Sequence, residues 1–154
     1  MPSQPTVRDV MSSQVVTLSP EQTVEAAADV LAGDAIGAAP VVADGKLVGL
    51  LRDEDLIVSE ARLHVPTVIH FLGADLVLPS SLHRFETELK KAAGATVRDV
   101  MSTEFDTVAP GDSLESIATL MHESDVTHVP VVDDGTLVGI VARGDLVRYL
   151  ARTT

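Results

Sequence analysis

The side chains in this chain that could do chemistry are carboxylates, five histidines and a thin set of cations, with no cysteine. His64 and His70 stand six positions apart, as do His122 and His128. Neither spacing is the i,i+4 helical pair with an adjacent glutamate that holds zinc. Without cysteine, thiolate sites and disulfides are excluded too, so no resident metal is expected. The chain has no G-x-S-x-G elbow, no Walker A loop and no G-x-G-x-x-G turn. Carboxylates are abundant, but no two form a recognisable acid/base pair, and most read as a solvated face. The expectation is a protein that is not an enzyme. Two aspartates have matching surroundings: Asp55 in GLLRDEDL and Asp145 in GIVARGDL. Each falls in the first turn of an expected helix, where the macrodipole stabilises a carboxylate without any ligand.

The background of these residues narrows the partners. The chain has 154 residues, 45% of them hydrophobic, with a mean hydropathy of +0.26. That is enough for a real core, and with 3% aromatics the core must be aliphatic. A net charge of −12 repels DNA and RNA, and the basic residues form no stripe beyond Lys90-Lys91. A small anion can still bind where arginines and backbone amides converge. The start, MPSQPTVRDV, carries no secretory pattern, and no apolar run approaches membrane-spanning length. A cytoplasmic location is therefore expected.

The elements that position these groups are written twice. TVRDVMS occurs at Thr6–Ser12 and again at Thr96–Ser102. At the same offset of 90, Pro40-Val41-Val42 falls on Pro130-Val131-Val132 and Asp44-Gly45 on Asp134-Gly135. Leu47-Val48-Gly49 likewise falls on Leu137-Val138-Gly139, and Asp55-Leu56 on Asp145-Leu146. Two copies are too few for a solenoid and suit a pseudo-twofold pair that buries a shared face. Within each copy, VRDVM fits a helical turn and Val15–Leu18 a short strand. A helix follows, with Val24, Ala27, Ala28 and Leu31 on one face, or Leu114, Ile117, Ala118 and Met121 in copy two, where Ser113 is the expected N-cap. Asp-Gly between β-branched runs predicts a hairpin, and a last helix starts near Asp53 or Arg143. The predicted unit is β-α-β-β-α, an α/β (α+β) fold. The organisation expected is repeat 1 over 1–57, a segment over 58–95 with a helix near 81–93, and repeat 2 over 96–154. The middle segment is apolar and covers a core edge or forms a dimer or partner surface.

This order of motifs resembles the cystathionine-β-synthase (CBS) domain, which occurs in tandem as a Bateman module. The resemblance rests on VRDVM, the Pro-Val-Val strand, the Asp-Gly hairpin and the Gly-aliphatic-aliphatic-x-x-x-Asp-Leu ending, all doubled. It implies a cleft between the repeats for an adenosine-containing ligand such as AMP, ADP, ATP, S-adenosylmethionine or a dinucleotide. The family's ribose-binding aspartate falls on Asp55 and Asp145. Its adenine-side backbone falls on Gly37-Ala38-Ala39-Pro40 and on Thr127-His128-Val129-Pro130. Val16 and Asp106 are the first-strand positions facing the clefts. The family's Ser/Thr before the aspartate is Arg52 in copy one and Ala142 in copy two, so neither supplies a hydroxyl. Arg52 or Arg143 then contacts a phosphate, fills the pocket or stays a solvated charge. The resemblance implies a stand-alone regulatory protein, a homodimer that signals to a partner chain, with one cleft binding rather than both. The competing expectation is an interaction scaffold with vacant clefts.

Overall fold

The computed structural model describes residues 3–61, 68–71, 74–77 and 95–153. The helix expected near 81–93 lies outside the described residues. Copy one contains α1 (Val7–Val10), α2 (Val24–Gly33), β1 (Ala38–Ala43), β2 (Lys46–Arg52) and α3 (Asp53–Ala61). The middle segment contributes β3 (Val68–Phe71) and β4 (Ala74–Val77), an antiparallel pair. Copy two repeats the pattern as α4 (Val97–Val100), α5 (Leu114–Glu123), β5 (His128–Asp133), β6 (Thr136–Ala142) and α6 (Arg143–Thr153).

Local chemistry accounts for each element. The turn α1 is started by Asp9, whose carboxylate accepts the Thr6 backbone N–H at 2.8 Å, and Asp99 does the same for Thr96 at 2.9 Å. Thr23 caps α2 by accepting the Ala26 N–H at 3.1 Å, and Ser113 caps α5 by accepting from Ser116 at 3.1 Å, as expected. Ile117 and Met121 are buried, whereas Ala118 is exposed at the edge of the predicted apolar face. Both hairpins turn through an Asp-Gly pair with positive φ, 52° and 76° at Asp44-Gly45 and 50° and 80° at Asp134-Gly135.

The first strand of each copy is shorter than its sequence predicts. Among the described residues, only Leu18 pairs, in a parallel bridge to Val41, donating to the Pro40 carbonyl and accepting from the Val42 N–H, both at 2.9 Å. Val108 repeats this with Pro130 and Val132. Prolines stop the ladder on both sides. One step back, residue 16 would need an N–H from Pro40; one step forward, Pro20 would itself have to donate. Pro130 and Pro110 stand at the same places in copy two.

The two copies are tied by an exchange of their opening turns. Val7 and Arg8 donate backbone hydrogen bonds to Asp112 and Pro110 of copy two at 2.8 and 3.0 Å. Val97 and Arg98 donate to Gln22 and Pro20 of copy one at 2.8 and 3.0 Å. Val7 is fully buried in a core with Ile117, Val129, Val131 and Val141, and Val97 is fully buried with Ala27, Ala39, Val41 and Leu51. Beyond each turn the chain crosses the other copy's hairpin: Ser12 and Ile140 exchange two hydrogen bonds at 2.9 and 3.0 Å, as do Ser102 and Leu50. A glycine sits under each crossing. A Cβ on Gly139 would lie 2.7 Å from Met11 Sδ and 2.9 Å from the Ser12 carbonyl, and Gly49 meets Met101 and Ser102 in the same way. No helix among the described residues is long and apolar enough to cross a membrane.

Replacing Gly139 by Ala should displace the Met11–Ser12 crossing and lower unfolding stability by about 1–3 kcal/mol. Gly111→Ala, where nothing lies within 4 Å, should stay within about 0.5 kcal/mol of wild type in the same urea titration.

Candidate functional site: an asymmetric cleft between the copies

The segment leaving the first crossing, the start of β1 and the β6–α6 junction enclose a cavity of about 290 Å³. Val16, Gly37, Ala38 and Pro40 line it from copy one; His128, Ala142, Asp145 and Arg148 line it from copy two. Seven of the residues selected from the sequence are therefore brought together here. A second cavity, of about 570 Å³, is lined by Arg52, Thr127, Asp53 and Asp125, and it shares Gly37 and His128 with the first. Those two residues form the partition between the cavities. Asp55, Asp106 and Pro130 line neither cavity. Asp55 accepts the Arg52 N–H, Asp106 is exposed, and Pro130 is buried beneath the Val108 bridge. Arg143 lies in a separate groove between α5 and α6, beside Leu146 and Val147.

Unequal substitutions at the 90-residue offset make the two clefts differ. Around the Asp145 cavity stand Val15, Val16, Gly37 and Ala142, small or uncharged side chains. Their counterparts are Phe105, Asp106, Thr127 and Arg52, each larger or charged. The walls of the Asp145 cavity are therefore smaller and carry fewer charges, although the second cavity is the larger of the two.

Asp145 sits largely buried in the cavity wall, with a partner on each oxygen. Its side chain is 15% exposed. One carboxylate oxygen accepts the Ala142 N–H at 2.7 Å, the same reach back across a helix start that Asp9 makes to Thr6. The other oxygen pairs with Arg148, one turn further along α6. Since Ala142 has no hydroxyl, the Asp145 carboxylate makes this helix-start contact alone. Arg148 was missed by motif reasoning. Its signals in the sequence are the i,i+3 spacing from Asp145 and the valine, Val58, at the equivalent place in copy one. Ser12, Gln14 and Ile140 also line the cavity, and only the crossing of the copies brings them there. Among the described residues, no group of three or more His, Asp or Glu side chains is arranged to hold a metal ion.

His128 is half-buried in the partition. Its Nδ1 lies 2.8 Å from the Thr127 hydroxyl, and a Cβ on Gly37 would come within 3.1 Å of its ring. Burial pushes the imidazole pKa below its ordinary 6.5; Asp53 opposes this, Arg52 adds to it and Asp145 opposes it more weakly. The ring is thus held neutral, able both to donate and to accept a hydrogen bond.

A histidine with a depressed folded pKa contributes stability above the unfolded value that is lost as pH falls from 6.5 through the folded pKa, because the unfolded chain protonates first. The fall in thermal midpoint between about pH 7.5 and about pH 5.5 should accordingly be smaller in His128→Gln than in wild type. An unchanged fall would show that His128 does not titrate in this way.

Comparison with known proteins agrees with this architecture. The family model for the CBS domain matches residues 7–61 and 97–152. The chain is 36% identical over 140 residues to the CBS domain-containing protein YhcV of Bacillus subtilis, covering 91% of this chain and 81% of that one. It is 30% identical over 146 residues to hypoxic response protein 1 of Mycobacterium tuberculosis, covering 94% of this chain and 85% of that one. Among solved structures, CBSX2 of Arabidopsis thaliana in complex with AMP matches with a TM-score of 0.74 at 27% identity, over 96% of this chain and 97% of that one. Two matched copies, an exchanged turn closing each core and a cleft between them make this chain a member of the CBS-domain family, a tandem CBS pair.

Proposed function

We propose that this CBS pair is a regulatory, non-catalytic module that binds one adenosine-containing ligand per chain in the Asp145 cleft and passes its occupancy to a partner protein. The observation that carries the reading is the cavity of about 290 Å³ with small apolar walls at one end and a carboxylate at the other. Small-molecule sites occupy roughly 300–1,000 Å³, so this one suits a single nucleoside unit better than a dinucleotide. Gly37, Ala38 and Val16 leave a flat slot for a base beside the backbone leading into β1. Asp145 accepts the two hydroxyls of a ribose, and charge-assisted bonds of that kind contribute about 1.5–3 kcal/mol each. The AMP complex of CBSX2 supports the ligand class.

The ligand acts on the partner only through different affinities for two arrangements of the repeats. Ile57 and Val147 are 67% and 61% exposed on α3 and α6, and such exposed apolar side chains support a homodimer formed through the helical face. The second reading, a scaffold with vacant clefts, is favoured by one feature: both oxygens of Asp145 already have partners within the chain.

Thermal unfolding against AMP, ADP, ATP, S-adenosylmethionine and NAD tests the two readings. A ligand present at a hundred times its Kd should add about 2.7 kcal/mol of stability. Asp145→Asn, which can still accept the Ala142 N–H, should abolish most of that shift. If no compound raises the midpoint at millimolar concentration, the scaffold reading takes its place.

A further inference from the structure

We infer that Arg148 selects the ligand by its anionic group: the guanidinium gives up its pairing with Asp145 and pairs with a phosphate instead, while Asp145 turns to the ribose hydroxyls. This deepens the adenosine reading and rests on it. Among the described residues that line the cavity, Arg148 is the one permanently charged cation; the other charged or ionisable side chains there are Asp145 and His128, and burial favours the neutral imidazole.

Its guanidinium lies back along the first turn of α6, over Gly144, where a Cβ would sit 3.5 Å from one of its terminal nitrogens. That posture holds it at the cavity wall and against the Asp145 oxygen that the Ala142 N–H leaves free. The pair is unequally embedded: the Arg148 side chain is 65% exposed and that of Asp145 only 15%. The guanidinium itself reaches solvent, so it can exchange one anion for another without being desolvated further. A phosphate offers the guanidinium a bidentate partner, and a ribose diol offers Asp145 a replacement donor. The two members of the ion pair are therefore also the two ligand contacts.

Copy one lacks the arrangement, because Val58 stands where Arg148 does and Glu54 where Gly144 does. The other cavity has a different arginine, Arg52, which stands among Asp53, Glu54 and Asp125.

The experiment is isothermal titration of the full chain with AMP and with adenosine, for wild type, Arg148→Gln and Arg148→Lys. Wild type should bind AMP more tightly than adenosine. Arg148→Gln should weaken AMP by about tenfold to a hundredfold and leave adenosine within about twofold, since it removes only the anion contact. Arg148→Lys should recover part of the AMP affinity through its charge. If AMP and adenosine weaken by the same factor, or if AMP is unaffected, Arg148 does not read the phosphate and the inference fails while the adenosine reading stands. If wild type binds neither compound at millimolar concentration, both the adenosine reading and this inference fall together.

Discussion

Each CBS repeat in this chain leaves a hole in its own core that a valine from the other repeat fills. Val7 enters the copy-two core and Val97 the copy-one core, both fully buried. Fully burying a valine is worth about 1.5–3 kcal/mol, and each comes with backbone hydrogen bonds to the loop preceding the other copy's helix. Because the exchange is reciprocal, neither copy completes its core alone. The cleft between the copies is then a consequence of folding rather than a separate docking event.

The exchange also builds the site. After α1 the chain must travel from the copy-two core back to its own sheet at Leu18. On the way it pairs through Ser12 with β6 and then runs along the cleft as Gln14, Val15 and Val16. Gly139 and Gly49 are needed at the two crossings because a methyl group there would strike the passing methionine and serine. The prolines that limit the first strand to one residue have a related effect. With no ladder to hold it, the backbone ahead of Leu18 is available to the cavity rather than tied into the sheet.

Symmetry places two clefts around the partition of Gly37 and His128, and the side chains make them unequal. One is lined by small residues and has a carboxylate with its own counterion. The other has Arg52 among Asp53, Glu54 and Asp125. In a chain of net charge −12, an anionic ligand meets an unfavourable average field, so a local cation decides where it can settle. Arg148 supplies that cation in the Asp145 cleft.

Much of this was legible without coordinates. The repeat at a constant offset, the Asp-Gly hairpins and the Ser113 cap are local or periodic features, and local chemistry writes itself into neighbouring residues. Seven cleft residues could be selected because the resemblance to CBS domains marks two stretches in each repeat, and the cavity draws on Gly37-Ala38 from copy one and Ala142–Asp145 from copy two. Three things required the tertiary structure. TVRDVMS looks like the start of its own repeat, yet in space it completes the other one, because burial of Val7 and Val97 is decided by which core has a vacancy. Val15–Leu18 looks like a strand, but its pairing is limited by Pro20 beside it and by Pro40, more than twenty residues away, and both matter only once β1 lies alongside. Arg143 and Arg148 are equally basic on the same helix, but helical geometry sends Arg148 back over Gly144 to the cleft and places Arg143 in the groove beside α5. Sequence alone determined the parts and their order; contacts between distant residues decided which parts face each other, and so which aspartate and which arginine share a cavity.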